Sequence, residues 1–417
     1  MITTSRLYTF YFKLVKLNSV RLRRLFLIRR IRKRQKATII FIVSSLAMWK
    51  SFDLFQLLYK DPHFKAVLVI CPYAKYDEKQ KLRSVEELTQ YCREFGIPYV
   101  NIYNTEKPSA IIKKQLSADI NFYPQQYKAL YGNGIDSEFF DNKLLCFIPY
   151  GFNTFDQGWA FGQRFNNIAW RLFYSSQSDL SSARKYSLNK GDNVRIVGSP
   201  TAGDFMKNSF HYPWKLARKK RIIWSPHYSI VDGGYTHRSS FVFLHSFMMR
   251  LAKEFQDSIQ ITFKPHPRLL TELYIHPEWG VQKADAYYQK WADMPNTQLE
   301  TGSYVDLFMT SDAMIHDCGS FTAEYHYTQN PVMFFTSDLD GVKKQLNELG
   351  LAAIDAHYIG STTADIEHFI EHVVLKGEDP LKSVRKEVFD KYLLPPNGRS
   401  AAENIYHDLL TSLGFEK

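Results

Sequence analysis

The chain has only four cysteines in 417 residues, Cys71, Cys92, Cys146 and Cys318, and no two of them form a C-x-x-C pair. Such scatter excludes a disulfide-stapled scaffold and the thiolate zinc modules, and it suits a reducing compartment. Long apolar runs are also missing. The longest, residues 37–48, is about a dozen residues where a membrane-crossing helix needs about 20. Acidic residues are absent from the start: the first carboxylate is Asp53, whereas 12 of the 53 Lys and Arg fall within the first 36 residues. Beyond them 41 bases face 42 acids, so the net charge of +11 belongs to a basic leader on a neutral globule. Basicity confined in this way argues against a nucleic-acid groove, which would draw on the whole chain. With 45% apolar and 15% aromatic residues, disorder is excluded as well. No P-loop, G-x-G-x-x-G fingerprint or G-x-S-x-G elbow is present.

The leader mixes bulky apolar residues (Leu14, Leu17, Leu22, Leu25, Phe26) with Arg21, Arg23, Arg24, Arg29, Arg30 and Arg32. A cationic face beside an apolar one suits the anionic surface of a bilayer. Residues 1–36 are therefore expected to dock on a membrane surface, against the plainer readings of a solvated tail or a targeting peptide. The run at 37–48 is rich in β-branched residues and is followed by an amphipathic stretch and a second apolar run at 65–71. Strand, helix, strand is the economical parse, since strands buried on both faces of a parallel sheet read as uninterrupted apolar runs.

The alternation continues. Helix is expected over 77–95, ended by Gly96, and over 108–117, with strands over 97–103, 119–123, 144–149, 168–176 and 194–197. A polar linker at 211–220 leads to strand 221–224, helix 240–255, strand 260–263, a helix–strand pair at 305–315, a helix from Ser320 and strand 331–335. Two successive βα blocks predict two doubly wound Rossmann-like α/β domains, with the ligand site in an interdomain cleft at the carboxyl ends of the strands. The expected boundaries are 1–36 for the leader, 37–205 for an acceptor domain, 206–395 for a nucleotide-donor domain, and 396–417 for a helix packing back on the first domain.

Three loops carry chemistry. In Ser311–Tyr325 a strand ending at His316 delivers the turn Asp317-Cys318-Gly319-Ser320 into a helix, where free N–H groups and a glycine can cradle a diphosphate and Glu324 can accept ribose hydroxyls. Asp317 or Ser320 as a mere helix cap is the plain alternative. In Lys264-Pro265-His266-Pro267-Arg268 two prolines fix an imidazole between two bases, placed to bind a phosphoryl oxygen or protonate a leaving group. Trp224-Ser225-Pro226-His227 and the following loop through Arg238 can close over a phosphate, or form an ordinary polar surface. Two patterns are set aside. His368, Glu371 and His372 match H-x-x-E-H but read as a solvated helix face, and Asp338-Leu339-Asp340 reads as turn chemistry.

Taken in order, these loops resemble the CDP-glycerol glycerophosphotransferase family, the teichoic-acid polymerases and their capsule-making relatives. The likeness runs from about Lys36 to Phe335 and rests on Arg195–Pro200 followed by Asp204-Phe205, Ile222–Pro226, Lys264–Pro267, and Ser311 through Tyr325 with Pro331-Val332. It implies a GT-B architecture, a CDP-activated donor, no required cofactor or metal, and peripheral attachment to the inner face of a bacterial cell membrane. By position, His266 would contact the donor diphosphate and act in catalysis, Gly319, Ser320 and Phe321 would hold donor phosphate, and Glu324 would take the ribose. Ser225, His227, Arg238, Lys264 and Asp317 complete the expected donor side. The family usually offers a His-Gly pair in its first domain; here Pro149-Tyr150-Gly151 stands there, so Tyr150 and Gly151 are the acceptor-side candidates. The expected reaction moves glycerol phosphate, or a related polyol phosphate, to a hydroxyl of a polymer or lipid-linked acceptor. The alternatives are a GT-B glycosyltransferase using a nucleotide sugar and a non-catalytic membrane adaptor.

Overall fold

A computed structural model describes residues 16–103, 118–127, 142–230, 239–319 and 321–415. The chain forms two compact units: residues 1–151, 157–202 and 395–417 make the first, and 152–156 with 203–394 the second. The expected helix over 108–117 lies outside the described residues.

The first unit is a seven-stranded parallel sheet of β1 (Ala37–Val43), β2 (Phe64–Ile70), β3 (Tyr99–Asn101), β4 (Ile120–Tyr123), β5 (Leu144–Phe147), β6 (Arg171–Tyr174) and β7 (Val194–Ile196), in the order β3-β2-β1-β4-β5-β6-β7. The apolar run at 37–48 thus supplies the central strand. Its two faces feed two cores, Ile39 and Phe41 on one side with Phe55 and Leu68, Ile40 and Ile42 on the other with Leu145 and Phe165. Asp77 caps helix Glu78–Glu94 through a reciprocal capping box with Gln80, and Gly96 (φ 64°) turns the chain out of it.

The leader does not stand apart as expected. From Leu17 it is a helix, Leu17–Arg34, that belongs to the first unit and buries Leu17, Val20, Leu27 and Ile31, a stripe at helical spacing. Several of its bases are engaged within that unit. Arg34 bonds Asp119 at 2.9 Å, and Arg32 donates to the carbonyls of Ser412 and Leu413 at 3.2 Å, at the negative end of helix Ala401–Leu413. That last helix also packs on helix Phe52–Lys60, with Tyr406 donating to Asp61 at 2.6 Å.

The second unit is a six-stranded parallel sheet of β8 (Lys220–Ser225), β9 (Ile259–Phe263), β10 (Thr297–Leu299), β11 (Ala313–His316), β12 (Val332–Phe335) and β13 (Tyr358–Gly360), ordered β10-β9-β8-β11-β12-β13. Its main core gathers Trp224, Phe241, Phe263 and Trp291. Chain order runs outward in both directions from the β8–β11 pair. The switch point of this sheet therefore lies between those two strands, where open α/β sheets bind ligands at the carboxyl ends. Arg221 and Asp312 hold the amino ends of the same pair together through a forked contact of 2.6 and 3.1 Å. Residues 152–156 were expected in the first domain but fold with the second. Asn347 N donates to the Thr154 carbonyl at 3.0 Å, and Phe155 bridges Leu346.

Candidate functional site

The loops after β8, β9 and β11 meet at the carboxyl edge of the second sheet. Ser225 is wholly buried, and its hydroxyl donates to the Lys264 carbonyl at 2.6 Å, while Cys318 Sγ lies 3.3 Å from the Ser225 carbonyl. The segments 264–268 and 317–319 are thus joined through one serine. Asp317 completes the knot. Its buried carboxylate accepts from the His227 amide, from Ser239 Oγ at 3.0 Å, and from both the amide and hydroxyl of Ser240 at 2.6 Å. Ser240 begins helix Phe241–Glu254, so Asp317 satisfies that helix's amino end. Ser225 and Asp317, expected on the donor side, spend these groups on bonds that tie the loops together. Lys264 does likewise: it is buried and its ammonium donates to the Gly302 carbonyl at 2.8 Å.

What the frame presents is a pair of imidazoles. His266 sits between its two prolines, with its backbone amide on the Pro226 carbonyl at 3.1 Å. The Arg268 amide donates to His266 Nδ1 at 3.1 Å, which leaves the ring proton on Nε2. Burial, followed by the charges of His227, Arg268 and Lys264, pulls the His266 pKa down to about 3. At neutral pH His266 is therefore a neutral hydrogen-bond donor with a fixed tautomer, not a cation. His227 lies 5.1 Å away ring to ring, and Tyr228, at 4.5 Å, carries the Arg268 guanidinium over its face at 4.1 Å.

The β11 turn departs from expectation. Gly319 leaves room for a close approach, but the partner is Phe155: a Cβ here would stand 2.4 Å from that ring. Thr154 Oγ1 donates to the Gly319 carbonyl at 3.2 Å. Phe321 packs edge-on against Phe308 at 4.9 Å and beside Tyr304 at 5.2 Å. Glu324 is buried and accepts from Tyr304 at 2.9 Å, an arrangement that, after burial, raises the Tyr304 pKa. Ser320 and Arg238 lie outside the described residues.

Sequence reasoning missed the support behind this turn. The Cys318 amide donates to His316 Nδ1 at 3.2 Å, His316 Nε2 lies 3.1 Å from His357 Nε2, and His357 Nδ1 lies 2.6 Å from the Ala353 carbonyl. These bonds run in one direction if both rings are neutral, and burial lowers the His357 pKa to about 4. The strand-end position of His316 was its only signal; nothing local marks His357 or Phe155.

In the first unit Tyr150 and Gly151 follow β5 at the carboxyl edge, with Tyr150 47% exposed. Next to them a shallow groove, with a cavity volume of only about 10 Å³, opens at the ends of β1, β4 and β5, lined by Met48, Trp49, Ser51, Pro124 and Pro149. Tyr73 donates to Met48 Sδ at 2.7 Å, and its pKa is raised by burial and then by Tyr150. The patterns set aside in the sequence behave accordingly. Asp338 caps helix Leu339–Gln345 by accepting from Gly341 N at 2.8 Å, and His372 pairs with Glu378. Among the described residues, no group of three or more His, Cys, Asp or Glu side chains is placed to hold a metal ion.

Two doubly wound parallel sheets with chemistry-bearing loops at their carboxyl ends define a GT-B-type α/β protein, and solved structures agree. A wall teichoic acid polymerase, TagF, aligns with a TM-score of 0.60 at 14% identity over 100% of this chain and 99% of its own. A putative UDP-N-acetylglucosamine 2-epimerase from Listeria monocytogenes aligns at 0.59 and 14% over 92% and 98%, and the UDP-GlcNAc 2-epimerase of Neisseria meningitidis at 0.55 and 12% over 90% and 100%. At such identities the likeness is one of fold. The family model described as CDP-Glycerol:Poly(glycerophosphate) glycerophosphotransferase matches residues 196–410, slightly over half of the chain. The chain belongs to that family. No curated protein matches it.

Proposed function

We propose that this protein transfers glycerol phosphate, or a related polyol phosphate, from a CDP-activated donor to a hydroxyl of a cell-surface polymer. The observation that carries the reading is the convergence of His266, His227 and the 317–319 turn at the switch point of the second sheet, all inside the segment that matches the family. In the proposed step the acceptor oxygen attacks the phosphorus bearing glycerol. The bond from that phosphorus to the oxygen of cytidine monophosphate breaks, CMP leaves with the electron pair, and the acceptor's proton passes to the released CMP phosphate or to solvent. The Nε2–H of His266 donates to the phosphoryl oxygen on which charge grows, a preorganised donor. Tyr150 is assigned to orienting the acceptor. The CDP-linked donor is a substrate, and no cofactor enters the scheme.

The test is CMP release from CDP-glycerol by the purified chain. His266→Ala is expected to lower turnover by about two orders of magnitude or more, in line with the loss of one preorganised donor, with an unchanged melting temperature. Wild-type turnover in that variant removes His266 from the reaction. Calorimetric competition of CMP against UDP separates this reading from a sugar transferase.

Membrane attachment forms part of the proposal. Among the described residues no helix is long and apolar enough to cross a membrane. Helix Leu17–Arg34 turns Leu22, Leu25 and Phe26 outward at 58%, 54% and 67% exposure, three apolar residues at i, i+3 and i+4 among arginines. That ridge suits an anionic bilayer surface on the cytoplasmic side. Leu25→Glu with Phe26→Glu should abolish flotation with phosphatidylglycerol vesicles; flotation at wild-type level refutes the docking.

A further inference from the structure

A second polar cavity lies in the first unit, at the amino ends of β6 and β7 and so at the opposite edge of that sheet from Tyr150. Its volume is about 150 Å³, small beside the range of about 300–1,000 Å³ typical of drug-sized ligands and suited to a compact one. Its walls include Arg21, Arg24, Arg171, Trp170, Asn167 and Asn193.

The wall is built before any ligand arrives. Asn193 donates to the carbonyls of Asn166 and Ala169 at 2.8 Å, Asn189 donates to Asn193 Oδ1 at 2.9 Å, and the Leu188 amide donates to Asn167 Oδ1 at 2.7 Å. This asparagine ladder locks the two loops that lead into β6 and β7. Against it stand guanidinium groups in excess. Arg21, Arg24 and Arg171 line the cavity with Asp192 as its one carboxylate; Arg21 pairs with Asp192 at 3.2 Å and Arg171 with Asp408, outside the lining, at 2.9 Å. Arg24 bonds the Ile168 carbonyl, but its buried Nε has no hydrogen-bond partner among the described residues. Arg21 and Arg171 both act on Arg24 with like charge, and with burial as the larger cause they pull its pKa down to about 10.

Three guanidinium-bearing residues against the one carboxylate of Asp192 in the lining make an arrangement that an anion neutralises. A guanidinium fork matches the oxygens of phosphate. The volume exceeds that of a bare phosphate, and Leu17, Val20 and Trp170 offer an apolar wall to an organic group. We propose that this cavity is a binding site for a phosphate ester, separate from the donor loops of the second unit. The ester is a free polyol phosphate or the headgroup of an anionic lipid.

The experiment titrates the full chain with sn-glycerol 3-phosphate by calorimetry, in wild type, Arg24→Gln, Arg21→Gln and His266→Ala, and repeats it as flotation with phosphatidylglycerol–phosphatidylcholine vesicles. Binding should persist in His266→Ala, weaken about tenfold or more in Arg24→Gln, and weaken less in Arg21→Gln. If Arg24→Gln does not fold, Arg21→Gln decides, because its side chain is exposed at the rim. Soluble binding with this pattern assigns the free ester; the same pattern in flotation alone assigns the lipid headgroup. Absence of binding in both arms, or binding lost in His266→Ala and untouched in the arginine variants, overturns the proposal.

Discussion

The Nε2 atoms of His316 and His357 stand 3.1 Å apart, both rings out of solvent, and one of the two must bring a proton to the other. Since the Cys318 amide occupies His316 Nδ1 and the Ala353 carbonyl takes the Nδ1 proton of His357, the shared proton belongs to His316. Leu at position 357 strands that proton in the core. His357→Leu should lose about 1–3 kcal/mol of stability, the cost of an unsatisfied buried donor. His357→Gln, which keeps an acceptor, should lose less. Denaturant midpoints of the two variants check this; equal midpoints would show that the bond is immaterial.

Gly319 and Phe155 make a second pair. A methyl group on Gly319 enters the Phe155 ring, so Gly319→Ala should destabilise by about 1–3 kcal/mol, the usual range for overpacking. Adding Phe155→Ala should return part of that loss. A thermal-melt double-mutant cycle reads the coupling, and strict additivity would deny the contact.

Acid should loosen the second unit. The pKa values of His266 and His357 lie at about 3 and about 4, and that of His326 well below the ordinary value, with burial the leading cause in each. An unfolded chain takes up these protons near pH 6.5, whereas the folded one does not. Stability is therefore full above about pH 6.5 and falls as pH drops toward 4. Urea midpoints at pH 7.5, 6 and 5 should decline in that order. A flat series contradicts neutral burial of these rings.

Asp312 receives the Arg221 amide at 2.8 Å as well as its guanidinium, at the foot of the two strands whose upper ends carry the site. Removing it by Asp312→Ala should cost about 1–2 kcal/mol, since the pair is only partly buried, and should weaken CMP binding by splaying β8 from β11. Calorimetry with CMP and a melting curve test both halves; a variant with neither effect would make the fork incidental.

Much of this architecture was legible because parallel strands are buried on both faces, so Ala37–Val43 and Phe64–Ile70 read as unbroken apolar runs. The three-residue strands Thr297–Leu299 and Tyr358–Gly360 carry no such run and were missed. Helix Leu17–Arg34 was obscured because its buried stripe is interrupted by arginines whose partners lie far along the chain. In the site, His266 announced itself through its flanking prolines. Ser225, Asp317 and Lys264 were found as residues but not as ties, because a hydrogen bond across 39 or 77 positions leaves no local pattern.

Helix Leu17–Arg34 and helix Ala401–Leu413 close the first unit from opposite ends of the sequence, and most of the second unit is made between them. During synthesis, then, the later unit has all its strands while the earlier one still waits for its last helix. Until Tyr406 reaches Asp61 and Ser412 reaches Arg32, the apolar bed under that helix faces water. Loss of helix Ala401–Leu413 would be felt hardest by the unit whose strands come earlier in the chain.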